Sequence, residues 1–205
     1  MRAASAPSAR KHDYRARMNP WSIQGRAVVD HTGALRARLV PDNLFSAEID
    51  IDQIVGQAQG APALVVRSGW LPDDEENIAR RWSAQVRSSL DERLAHLLQR
   101  AKAAGVSVWL SPRASDLISD LPSTLSALRT HEGLGLFLDP GALLTESMKA
   151  RAAEHVARMI EALVAHDRCA AVALGSGVPA ALRGDLERAA AVAGKPIVPL
   201  EGDLG

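Results

Sequence analysis

From residue 63 onward, short runs of apolar residues alternate with longer stretches in which apolar residues recur every three or four positions. Ala63-Leu64-Val65-Val66 is the first run, and four consecutive small aliphatic side chains suit a strand buried on both faces. Ile78, Trp82, Val86, Leu90, Leu94, Leu97, Leu98 and Ala101 then fall on one stripe of a helix. Asp73 to Glu76 occupy the positive end of its dipole, and Gly105 stands where a left-handed cap would end it. Ser89 with Glu92 resembles a capping box, which predicts two helices with a bend between them.

The same alternation continues to the end of the chain. Val106 to Leu110 predicts a strand, followed by a broken helical region from Ser115 to His131 that Pro122 restarts and Gly133 stops. Leu134 to Leu138 predicts the next strand, and its helix, from about Thr145 to His166, aligns Met148, Ala152, Val156, Ile160 and Leu163. Cys169 to Leu174 is a fourth strand, Pro179 to Ala193 a helix closed by Gly194, and Ile197 to Leu200 a fifth strand. Upstream, two apolar patches between Arg26 and Val40 flank Asp30-His31-Thr32-Gly33, a tight-turn sequence that predicts a hairpin. A short helix is expected around Ile51 to Gln59.

Strands alternating with amphipathic helices require parallel pairing, because each crossover returns the chain to the same edge. The predicted fold class is therefore α/β, with parallel βα units of TIM-barrel type. A full barrel has eight such units; the five units and two hairpin strands here predict a short or incomplete one.

Composition narrows the functional classes. The 205 residues suffice for one substantial α/β domain, expected over 21–205 with its βα repeats at 61–202. Residues 1–20 are expected to form a disordered basic tail, carrying Arg2, Arg10, Lys11, Arg15 and Arg17 against Asp13. Twenty-four basic side chains balance twenty-four acidic ones, which speaks against nucleic acid as a partner. No apolar stretch reaches the roughly 20 residues of a membrane span, so no membrane contact is expected. The lone Cys169 at the head of an apolar run fits a reducing, cytoplasmic setting.

In parallel sheets, ligands bind beyond the carboxyl ends of the strands. Those positions hold Arg67 and Ser68, Ser111 and Arg113, Asp139, Gly175-Ser176-Gly177, and Glu201. Arg67 and Arg113 could pair with a phosphate or carboxylate, while backbone amides after Gly177 face the same ligand. Trp70, just past the first strand, offers a ring on which a sugar could stack.

Four stretches carry a resemblance: Ala63 to Trp70, Ala104 to Leu110, Leu134 to Gly141, and Pro196 to Glu201. Over residues 61–202 the chain resembles the second half of sugar phosphate isomerases/epimerases, xylose isomerase-like TIM barrels related to endonuclease IV. The resemblance implies a divalent metal held by glutamates, an aspartate and histidines at the strand ends, polarising a hydroxy-carbonyl substrate. It also implies that Asp139 and Glu201 are the matching catalytic carboxylates. Ser111, however, stands in place of a ligand glutamate, Ala142 in place of a histidine, and Arg67 and Ala173 at positions commonly histidine in relatives. Two carboxylates and water hold a hard cation weakly, and Arg67 would oppose it.

No cofactor is therefore expected beyond a weakly held divalent ion at Asp139 and Glu201. The expected role is a degenerate, non-catalytic barrel that binds a small anion or sugar, or serves as a structural or interaction protein. An active isomerase or epimerase using Asp139 and Glu201 is the alternative. A third reading is a nucleotide-binding module, since Gly175-Ser176-Gly177 follows a strand and opens a helix with Glu201 ending the next strand. An incomplete barrel would expose strand edges, which suits a homo-oligomer or a protein partner.

Overall fold

The computed structural model describes residues 21–71 and 83–200. The basic tail, the helix start expected at Ile78 and Trp82, the acidic run Asp73 to Glu76, and Glu201 all lie outside the described residues. Eight strands form one sheet in sequential order. They are β1 (Ser22–Gln24), β2 (Ala27–Val29), β3 (Leu35–Val40), β4 (Ala63–Val66), β5 (Ser107–Leu110), β6 (Leu134–Leu138), β7 (Cys169–Leu174) and β8 (Ile197–Pro199).

From β3 to β8 every pairing is parallel, as the alternating pattern predicts. Both pairings of β2 are antiparallel, so β1 again runs in the direction of β8. The Trp21 amide donates to the Ile197 carbonyl at 2.8 Å, bringing the two edges together. The result is a nearly closed barrel in which one reversed strand, joined by tight turns, replaces two crossover helices. β1 was not anticipated, since three residues with polar Ser22 and Gln24 carry no periodic signal.

The parity of each strand divides its side chains between two layers. Ala37, Ala63, Val65, Phe137, Ala171, Ala173 and Val198 fill the barrel interior with Val28. Trp109 also points inward, where its ring stacks on Trp21 at 6.1 Å between centroids. Room for that indole comes from Gly135, paired with Trp109 in register, where a β-carbon would lie 2.5 Å from the ring. Leu64, Val66, Val108, Leu110, Leu136, Leu138 and Val172 face outward into the larger core beneath the helices.

Those helices are α1 (Ile51–Gly56), α2 (Ala84–Ala103), α3 (Leu121–Thr130), α4 (Ala152–Met159) and α5 (Ala180–Val192). Over its described length α2 is one continuous helix, which overturns the bend expected at Ser89. Its start is capped by Ser83, whose Oγ accepts from the Val86 amide at 3.2 Å. Val86, Leu90, Leu94, Leu97 and Ala101 are buried along its whole length, so packing favours a straight rod. The broken pattern before α3 resolves into a loop followed by a helix that a reciprocal Asp120–Ser123 capping box starts. The segment around α4 begins as a 3-10 helix at Glu146–Arg151 and ends as a π turn at Ile160–Val164. No helix among the described residues is long and apolar enough to cross a membrane.

Candidate functional site

At the end of the barrel where the parallel strands finish, the inward parity continues through Arg67, Ser111, Asp139 and Gly175. The sequence-predicted strand ends therefore converge on one mouth. Glu201, beyond β8, is outside the described residues.

Arg67 does not stand open at this mouth. Its Nε and Nη2 donate to the two carboxylate oxygens of Asp116, at 3.1 and 2.5 Å, and Asp116 is fully buried. The Ser115 hydroxyl also accepts from Nη2, at 3.3 Å. On its other side the guanidinium lies 4.3 Å from the centroid of the Trp70 ring, a cation–π arrangement. Trp70 thus covers an arginine, and its backbone is clamped by Asn43, which accepts from the Trp70 amide at 2.9 Å and donates to its carbonyl at 2.8 Å. Asp116 and Asn43 escaped the sequence reading because both sit in loops without any period.

Asp139 is buried at the end of β6. Burial pushes its pKa above the usual carboxylate value, opposed by the amides of Gly141 and Ala142, the charge of Arg113 and the Gly175 amide. The Gly141 amide donates to Oδ1 at 3.0 Å. Gly175 presses its Cα against the same carboxylate: a β-carbon there would meet Oδ2 at 2.3 Å. Gly177 and Gly141 are packed similarly, a β-carbon on Gly177 falling 2.8 Å from the Gly141 carbonyl oxygen.

The glycines of the Gly175-Ser176-Gly177 turn are therefore explained by contact with the β6 loop. Arg183 of α5 ties that turn to its helix, donating to the Gly175 carbonyl at 3.3 Å. Ser176 is exposed at the tip.

Ser111 is buried and its Oγ has no hydrogen-bond partner among the described residues. It borders a cavity of about 20 Å³ with Leu39, Val40, Val65, Val66, Arg67 and Arg113. A space of that size holds about one water, which would satisfy the hydroxyl.

The family resemblance implies a divalent metal at this mouth. Among the described residues no group of three His, Cys, Asp or Glu side chains is placed to hold a metal ion. Asp116 is engaged by Arg67, Ser111 offers a neutral hydroxyl, and Ala173 offers nothing. Hard cations rely on several charged or carbonyl oxygens, so the described donor set does not fit. His131, just after α3, bonds Asp91 of α2 at 2.9 Å instead of joining the mouth carboxylate. Cys169 is buried at the start of β7, and burial raises its thiol pKa to about 11.

Neither a protein-family model nor a curated protein matches the sequence. Solved structures do match. A D-tagatose 3-epimerase-like protein is 14% identical with a TM-score of 0.57, over 81% of this chain and 70% of that one. A xylose isomerase-like TIM barrel protein from Mycobacterium smegmatis, in complex with magnesium, is 15% identical with a TM-score of 0.57, over 82% and 67%. The 3-keto-D-glucoside 4-epimerase YcjR from E. coli, in its apo form, is 15% identical with a TM-score of 0.56, over 82% and 71%. Together with the sequential strand order and the inward-facing strand ends, these matches establish that the chain has the xylose isomerase-like TIM-barrel fold.

Proposed function

We propose that this chain is a degenerate xylose isomerase-like barrel that does not perform metal-assisted isomerisation and instead binds a small anion or sugar at its mouth. One observation carries the reading. The β4 and β5 ends, where the resemblance implies metal ligands, hold an arginine locked onto Asp116 and a serine with an unpaired buried hydroxyl. A cation placed there would meet Arg67 instead of a carboxylate. Arg113, whose charge acts on Asp139, is the residue proposed to meet an anionic ligand, with Ser111 as a neutral hydrogen-bonding partner.

A second reading draws on Asp139. A carboxyl whose pKa is raised by burial at the strand-end face is what proton transfer at near-neutral pH needs. The structural neighbours named as epimerases make a sugar the natural substrate in that case.

Thermal unfolding separates the two, because a ligand that prefers the native state stabilises it by RT ln(1 + [L]/Kd), about 2.7 kcal/mol at a hundredfold excess over Kd. The expected result is no stabilisation by millimolar manganese or magnesium, and stabilisation by a sugar phosphate that Arg113→Gln weakens. Stabilisation by metal that Asp139→Asn removes would defeat the degenerate reading and favour the isomerase.

A further inference from the structure

Outside the barrel, between the β1–β2–β3 hairpin and α1, lies a polar cleft of about 350 Å³ lined by Arg26, Arg38, Asp42, Gln53, Gln57 and Gln59. It exists because a tight turn at Gly25 joins β1 to β2 where a crossover helix would otherwise cover the sheet. Arg38 lies on the outer face of β3, between Ala27 on one neighbouring strand and Leu64 on the other. The small Ala27 side chain leaves the space beside it open.

Arg38 is half-buried, and its Nε is fully buried with no hydrogen-bond partner among the described residues. Neither Arg38 nor Arg26 forms a salt bridge with any described carboxylate. Asp42, the one acid in the cleft, accepts from the Gln57 side chain at 2.8 Å. Two guanidinium groups thus share a cavity with one carboxylate that is already hydrogen-bonded. An arginine donor withdrawn from water without a partner is costly, and its fork geometry matches a phosphate or carboxylate.

We infer that this cleft is an oxyanion site, with Arg38 holding a phosphate or carboxylate, Arg26 adding charge from the rim, and the glutamines meeting the hydroxyls of a small polar ligand. Its volume falls at the lower end of small-molecule pockets, about 300 to 1,000 Å³, which is larger than a bare phosphate needs. A sugar phosphate fits this chemistry better than a neutral sugar. Leu39 borders both this cleft and the small cavity at the mouth, but none of the mouth's polar side chains lines the cleft, so the site does not depend on the function proposed above.

The test is thermal unfolding of the full chain at constant ionic strength with inorganic phosphate, glucose 6-phosphate or glucose. Wild type is expected to gain roughly 5–10 °C at a hundredfold excess of glucose 6-phosphate over its Kd, less with phosphate, and nothing with glucose. Arg113→Gln at the mouth should keep part of the shift, and Arg38→Gln added to it should remove the part that it keeps. If Arg38→Gln does not fold, Arg26→Gln is judged by the same criterion. A shift retained by Arg113→Gln that the added Arg38→Gln leaves unchanged, an absent shift in wild type, or an equal response to glucose overturns the inference. Loss in Arg113→Gln alone would credit the mouth instead.

Discussion

The two ends of the barrel each carry a buried aspartate, and their surroundings are opposite in character. Asp30 lies in the turn between β2 and β3, at the end where the parallel strands begin. Its Oδ1 accepts from the Thr32 hydroxyl at 2.6 Å, the Thr32 amide at 2.8 Å and the Ala34 amide at 3.0 Å, while Oδ2 accepts from Arg36 Nε at 2.8 Å. The Thr32 hydroxyl leads in holding its pKa well below the usual carboxylate range, with Arg36 and the two amides adding to it against the opposing effect of burial. Asp139, at the other end, keeps fewer donors and a raised pKa. A carboxylate given everything it can accept fixes a turn; one held partly desolvated is available for chemistry or for a ligand. In barrels of this architecture stability generally concentrates at the face where the strands begin and ligand sites at the face where they end, which is the division proposed for this chain.

The mouth does not divide so cleanly, and the largest expected effect probes that. Arg67→Ala would leave Asp116 buried without its cation, and breaking a buried pair from one side costs about 3–5 kcal/mol. Chemical denaturation is expected to show that loss, marking Arg67 as a structural anchor of the mouth. A variant of wild-type stability with weakened sugar-phosphate binding would return Arg67 to the role of ligand. Gly175→Ala comes next. Its β-carbon would collide with Asp139 Oδ2, and overpacking of this kind typically costs about 1–3 kcal/mol. The same substitution at Gly133, where nothing lies within 4 Å but φ is +88°, is a control for backbone strain without collision.

Strands β4 to β8 were legible in the sequence because each is a short, mostly apolar and mostly buried run, a pattern that survives without knowledge of neighbours. The mouth was legible to the same extent: parity along those strands places Arg67, Ser111, Asp139 and Gly175 on the inward side. What those residues touch was not. Asp116 reaches Arg67 from 49 positions away, across a loop with no period to align it. Closure of the barrel was equally hidden, since β1 is three residues long and, among the described residues, a single backbone hydrogen bond from the Trp21 amide reaches β8. The bend expected in α2 failed because Ser89 and Glu92 lie in a helix whose buried stripe runs uninterrupted past them.

Smaller in energy, but most direct on the contrast between the two aspartates, is the pH dependence of stability. A carboxyl with a lowered folded pKa contributes stability above its unfolded value, about 3.9 for aspartate, and loses it as pH falls through the folded value. Asp30 is of that kind. A carboxyl with a raised folded pKa contributes its full stability below the unfolded value and loses it as pH rises through the folded one, which is the case of Asp139. Melting temperatures of wild type, Asp30→Asn and Asp139→Asn between pH 3 and pH 7 therefore give two difference curves of opposite slope. The advantage of wild type over Asp30→Asn should grow from pH 3 toward pH 5 and then level off. Its advantage over Asp139→Asn should shrink as pH rises, until the asparagine variant equals or exceeds wild type near neutrality. Two curves sloping the same way would mean that the aspartates are held alike, and the contrast drawn between the two ends of the barrel would go with them.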